Sequence, residues 1–180
     1  LYVDASGPYL DLVQDDQWYD AARGARAFPG DRPVVAHPPC GPWGKFAWKC
    51  TNQGRETGFH AVDVVRRCGG VLEHPVGSGL FDACDIPTAP WTPDRQVDAF
   101  GGYTIRVCQF DHGHRGAKDT ILYIVGTADL PPLLRRESGT PRPIERMGKR
   151  ERRLTPPAFA WWLCVLAARC KVTDKGDRGS

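Results

Sequence analysis

No apolar run in the chain approaches the length of a bilayer span, which excludes a helical membrane anchor. The first residues, LYVDASGPYL, lack the basic-then-apolar form of a signal peptide. A CxxC pair is missing too: the seven cysteines stand at 40, 50, 68, 84, 108, 164 and 170, an odd number scattered through strand-like and helix-like segments. That pattern argues against a disulfide framework or zinc ribbon and for reduced thiols in a soluble, cytoplasmic protein. Excess charge of one sign is scarce. A net value of +3 is too small to argue nucleic-acid binding by itself, so such an argument must come from where the charges lie. The chain opens on Leu1 rather than Met, and the expectation is that some N-terminal sequence is missing.

What is present fits one folded unit. A chain of 180 residues with 41% hydrophobic content can bury a full core, and the reading is a single α/β domain over residues 1–170 with a polar tail over 171–180. The stretch PVVAHPPCGPWG organises it. Val34, Val35 and Ala36 make a short buried strand, Pro38 and Pro39 stop it, and Cys40 is presented at its carboxyl end, where α/β sheets keep their ligand sites. Gly41 and Gly44 let another molecule come close. The spacing of Phe59, Val62, Val65 and Cys68 predicts a helix over residues 55–68, ended by Gly69 and Gly70. Val71 and Leu72 then form a second short strand running into Glu73, His74 and Pro75. Strand, helix and strand make a βαβ unit that brings Glu73 to the same sheet edge as Cys40.

The remaining segments are read more coarsely. Residues 1–3 suggest a strand, and residues 20–28 a short helix capped by Asp20. The aromatic and basic stretch WGKFAWKCTNQG is a candidate lid or contact loop. Residues 76–102 look like a long irregular connection, residues 103–110 and 120–126 like two strands joined by DHGHRGAKD, and residues 130–154 like a basic loop. Thr155 is expected to cap a last helix, with Pro156 in its first turn and Phe159, Trp162, Leu163, Leu166 and Cys170 on one face.

Four stretches, in order, resemble the DNA cytosine-C5 methyltransferases. HPPCGPW is similar to that family's PPC nucleophile motif and VLEHP to its ENV motif. GHRGAKDTILYIVG is similar to its arginine-bearing strand motif, and RRLTPPAFA to its RxLTxRE stretch. The resemblance implies a reduced Rossmann-like methyltransferase domain, a mostly parallel sheet with flanking helices, acting on a pyrimidine base, cytosine in DNA. It implies Cys40 as the nucleophile that adds to C6 and Glu73 as the acid at N3, because C5 is a poor nucleophile until a thiolate has added. Arg115 and Lys118 would hold the base or the acid. S-adenosylmethionine is the implied cofactor, with Asp4, Gly7 and Asp20 as its residues.

The chain also departs from that pattern. LYVDASGPYL has a single glycine where the family has a glycine-rich loop, His74 and Pro75 replace Asn and Val, and the Gln and second Arg of the later motif are absent. Roughly twenty-five residues fill the interval in which the family inserts a target-recognition domain, too few to hold one. Those residues are basic: eight Lys or Arg against three Glu between 135 and 153. With Lys45 and Lys49, the run that includes Arg150, Arg152 and Arg153 is expected to contact DNA phosphates. Such a reduced form suggests a phage or mobile-element protein, its partner DNA or a pyrimidine nucleotide, or a protein. Two other functions stay open: an inactive methyltransferase-like binding protein, and a nucleotide-modifying enzyme that does not use S-adenosylmethionine. His112 and His114, with His37, His74 and Cys40, invite a metal reading, but nothing else has ligand spacing and no metal is expected.

Overall fold

The computed structural model of the protein describes residues 1–2, 7–14, 17–19, 24–44, 47–50, 52–88, 96–136 and 138–172, the side chains of Asn52 and Gln53 apart. Its elements are β1 (Val34–Ala36), α1 (Asn52–Cys68), β2 (Gly70–Pro75), α2 (Leu80–Ala83), β3 (Tyr103–Cys108), β4 (Asp119–Val125), α3 (Lys149–Arg153) and α4 (Pro157–Arg169), with single 3-10 turns between them. The four strands form one sheet in the order β1-β2-β4-β3.

The βαβ unit is present: β1 and β2 pair in parallel, Val34 with Gly70 and Ala36 with Leu72. Only glycine suits position 70. Its φ is +121°, and a Cβ there would lie 2.1 Å from the Val34 carbonyl oxygen. The other two pairings are antiparallel, so the domain is α/β but the expected mostly parallel sheet is corrected to a mixed one. β1, β2 and β3 run one way, and β4 returns between β2 and β3. Residues 109–118 are too short for a parallel crossover, which needs about a dozen residues or more, so β4 must fold back on β3.

Period-two alternation gives the sheet two apolar faces. Val34, Ala36, Leu72, Tyr123 and Val125 pack with Ala61, Val62, Val65 and Cys68 of α1, and with Leu80 and Phe81 of α2. Val71, Val107, Leu122 and Ile124 face Phe159, Trp162, Leu163 and Leu166 of α4. The result is a helix, sheet and helix stack. Each fully buried Leu or Val in it contributes about 1.5–3 kcal/mol relative to exposure. A polar network closes one flank: the Tyr123 hydroxyl donates to Asp98 at 2.6 Å, and Arg66 donates to Tyr123, to Asp98 and to the Cys84 carbonyl.

Several local expectations change. Helix α2 interrupts the connection over 76–102, and its Leu80 and Phe81 are buried. Within 20–28 the described part is one 3-10 turn, Ala25–Ala27, while residues 20–23 lie outside the described residues. α4 begins at Pro157 with Pro156 as its N-cap and no side-chain cap bond, so Thr155 does not have that role. Proline costs nothing at that first helical position, where the missing N–H would have no helical partner. Leu1 lies along the outer edge of β1: its nitrogen donates to the Val35 carbonyl, and its carbonyl accepts from the His37 N–H at 3.1 Å. These two bonds are of the parallel type, but residues 1–2 do not form the expected strand, since Tyr2 has a left-handed φ of +59°, and Val3 lies outside the described residues. The tail is described to residue 172, and its Lys171 N–H donates to the Gly126 carbonyl at 3.0 Å.

Candidate functional site

Two prolines without N–H groups end β1, and Cys40 follows as the N-cap of the 3-10 turn Gly41–Trp43. Its side chain is exposed and unpaired in a disulfide. The turn is seated on α1. A Cβ at Gly54 would lie 2.5 Å from Pro42, and one at Gly58 would lie 2.6 Å from the Trp43 indole nitrogen, so both glycines are places where the turn touches the helix backbone. The Gly79 N–H fastens the far side by donating to the Trp43 carbonyl at 2.9 Å. Beneath the prolines lies His74, buried against Phe81 and accepting at Nδ1 from the Ser78 hydroxyl at 2.6 Å. Its Nε2 faces the Pro38 and Pro39 carbonyls without an aligned hydrogen bond. Burial pushes this imidazole down to about 4, against the opposing pull of Glu73 and the two carbonyls. His74 is therefore a neutral prop under the Cys40 turn.

Glu73 sits on the opposite sheet face from His74, as alternation demands, and is 7% exposed. Ala36 pairs with Leu72, so the residues one step further along the two strands, His37 and Glu73, meet. His37 Nδ1–H donates to Glu73 Oε2 at 2.9 Å, and the Tyr9 hydroxyl donates to His37 Nε2 at 2.5 Å. Gln109 Nε2 donates at 2.9 Å to Glu73 Oε1, which also accepts from Thr120 Oγ1 at 3.2 Å. Burial alone would raise the carboxyl, but the His37 hydrogen bond foremost, with the nearby Lys118 charge, holds it down at about 2. Glu73 is a carboxylate whose two oxygens are both engaged. Cys40 follows His37 by three residues, so the exposed thiol and the buried carboxylate both lie towards the carboxyl ends of adjacent parallel strands, the Cys40 turn seated on the α1 face and Glu73 on the face that packs against α4.

The other expected residues divide. Lys118 is near enough to act on the charge of Glu73, and its ammonium donates to the Leu154 carbonyl at 3.5 Å. Arg115 turns outward instead, 73% exposed and 3.5 Å from Glu151. Gly116, between them in the hairpin loop, is held against Met147 and Ile144. Gly7 has an ordinary φ of −86° and leads directly into the turn Pro8–Asp11, which plants Tyr9 on His37. Asp4, Asp20 and Lys45 lie outside the described residues. Lys49 lies over Trp48, which is 77% exposed, in the aromatic stretch expected to be a contact loop. Arg150, Arg152 and Arg153 are exposed on α3, so this part of the basic segment is a short helix.

The histidines do not converge. His112 packs against Phe159 and Trp162, and His114 Nδ1 accepts from the Gly116 N–H at 3.0 Å. Among the described residues no three His, Cys, Asp or Glu side chains gather as a metal would need. Reading motifs missed Tyr9, Gln109 and Thr120 as site residues. A usable signal was there: Val35 and His37, Val71 and Glu73, Val107 and Gln109, and Leu122 and Thr120 each place a polar residue one step beyond a core residue on the same sheet face.

Comparison with protein-family models, with curated proteins and with solved structures finds no match to this chain.

Proposed function

We propose that the chain modifies a pyrimidine base, cytosine in DNA, by addition of the Cys40 thiolate to C6. One observation carries the reading: an exposed cysteine just after β1 and a buried, multiply hydrogen-bonded glutamate within β2 lie towards the carboxyl ends of two adjacent parallel strands. Addition at C6 places negative charge on N3 and makes C5 an enamine carbon, able to take an electrophile. Glu73 serves N3. As a carboxylate it carries no proton of its own at neutral pH, so the proton that N3 takes is the one the Cys40 thiol gives up. The S–H bond breaks as the C6–S bond forms, the C5=C6 π bond shifts to C4=C5, and Glu73 relays the proton once the base has displaced the His37 Nδ1–H from its carboxylate. His74 positions the turn that presents the thiol, and the exposed cations of α3 with Lys49 favour a polyanionic substrate.

The resemblance that motivates this reading, with its reduced Rossmann-like domain, brings S-adenosylmethionine as the methyl donor to C5. Of the three residues it assigns to the cofactor only Gly7 is described, and the turn that follows fills the neighbourhood with Tyr9 rather than forming a glycine-lined cradle. That does not fit the group, and no step is routed through it. The same observation favours, as a second reading, a related chemistry with another donor, or a scaffold that binds without reacting.

A donor-free measurement separates these. Thiolate addition and reversal exchange the C5 hydrogen with solvent, so the intact chain in deuterium oxide should label C5 of cytosine in DNA or in dCMP. Cys40→Ser should abolish the exchange, and Glu73→Gln should slow it about 10²-fold. If wild-type protein produces no exchange above buffer on double-stranded DNA, single-stranded DNA or dCMP, the nucleophilic reading fails and the binding scaffold stands.

A further inference from the structure

On the side of the hairpin loop away from Glu73, Phe110, Arg115, Arg136, Gly139, Thr140 and Arg142 line an open cleft of about 200 Å³. From this geometry we infer that the cleft is a phosphate site that grips a nucleic-acid backbone phosphodiester. Three arginines line it, and among the described residues the carboxylates near them leave donors over. Glu151 Oε1 is shared, 3.5 Å from Arg115 and 3.7 Å from Arg142, and takes an aligned hydrogen bond from neither. Asp111 is a further carboxylate among the described residues, and its Oδ1 accepts the Arg136 backbone N–H at 3.3 Å. The Arg136 guanidinium lies 4.6 Å over the Phe110 ring, with no carboxylate partner among the described residues. Stacking fixes its plane and leaves its edge N–H donors for a ligand, the arrangement that suits bidentate contact with phosphate oxygens.

The cleft is fastened in place. Arg142 and Gly116 form a β-bridge, in which the Arg142 N–H donates to the Arg115 carbonyl at 2.9 Å. Buried Met147 and Ile144 press on Gly116, where a Cβ would lie 2.4 Å from the Met147 sulfur. Gly139, whose φ of +110° favours glycine, sets the backbone beside the Phe110 ring and the Arg136 guanidinium. A tethered, arginine-lined concavity is thus built into what the sequence offers only as a basic loop.

Size and connection choose the ligand. A pocket for a whole small molecule usually has at least roughly 300 Å³, so this cleft suits a phosphate and its ester oxygens, with the rest of the ligand outside. Phe110 follows Gln109, which donates to Glu73. One short loop therefore presents an amide to the proposed base site and a wall to the phosphate cleft, as a polymer that offers a base and a neighbouring phosphate would require. The inference extends the proposed function to the substrate backbone. Its test is independent of Cys40.

The intact chain, labelled with 15N, is titrated with inorganic phosphate, dCMP and a twelve-nucleotide DNA. Shifts should concentrate at the Gly116, Gly139 and Thr140 amides. The double variant Arg136→Ala, Arg142→Ala, its fold checked by circular dichroism, should bind the DNA about tenfold more weakly. Its slope of log affinity against log salt should fall by about 0.9, the value of one neutralised phosphate. Shifts with all three ligands, strongest with DNA, support the phosphodiester site, and stronger binding of dCMP than of DNA overturns the polymer backbone in favour of a free nucleotide. Absence of shifts at these amides with every ligand, or an unchanged salt slope in the folded variant, overturns the site itself. A Cys40→Ser chain that fails to exchange C5 hydrogen yet still shows the shifts keeps this inference apart from the chemistry.

Discussion

His74 and Glu73 are neighbours in sequence, lie on opposite faces of β2, and answer to acid in different pH windows. The folded state holds His74 at about 4, below its ordinary 6.5, so unfolding takes up a proton and stability is lost as pH falls from 6.5 towards 4. The folded state holds Glu73 at about 2, below 4.5, so its contribution is complete above 4.5 and disappears as pH falls towards 2. Each shift corresponds to about 3 kcal/mol at most. His112 and His60 are also lowered by burial and add to the first window. Urea unfolding at stepped pH should show His74→Gln flattening the loss between 6.5 and 4, and Glu73→Gln flattening it between 4.5 and 2. A variant whose pH profile parallels that of the wild type would show that its residue is not held as described.

At the scale of elements, the seat of the Cys40 turn on α1 decides what that helix tolerates. Replacing an exposed helical glycine by alanine ordinarily stabilises by about 1 kcal/mol. Gly58→Ala should do the reverse, because the new methyl would lie 2.6–2.9 Å from three atoms of the Trp43 indole and must push the turn away. A lower Tm, changed tryptophan emission and an altered rate of Cys40 alkylation are expected together, and a higher Tm with unchanged emission would refute the seat. This contact was not legible in the sequence, where Gly54 and Gly58 look only like weak points in a helix. The helix itself was legible from its apolar spacing, as were the βαβ unit from PVVAHPP and VLEHP and the buried face of α4. The return of β4 between β2 and β3 was not, because periodicity tells which face a residue takes and says nothing about strand direction. Cys40 and Glu73 could be read because their neighbours are distinctive. Gln109 and Thr120 could not, since each reaches the glutamate only after strands distant in sequence have come into register.

Taken as a whole molecule, the domain keeps the proposed reaction site at one end of its four-stranded sheet and its cations on the adjoining loop and on α3. The substrate would be met by both. Among the described residues no helix is long and apolar enough to cross a membrane. The donors on Glu73 come from four places, the residue after β1, the residue after β3, a residue within β4 and, through His37, the turn that carries Tyr9. None of them can be in place until the entire sheet has assembled, so this polar knot belongs to the last act of folding. In kinetic terms Glu73 should behave as a low-φ position. In stopped-flow experiments Glu73→Gln should speed unfolding while leaving refolding nearly as fast as in the wild type, and the network would then act as a latch on the native state with no part in its nucleation.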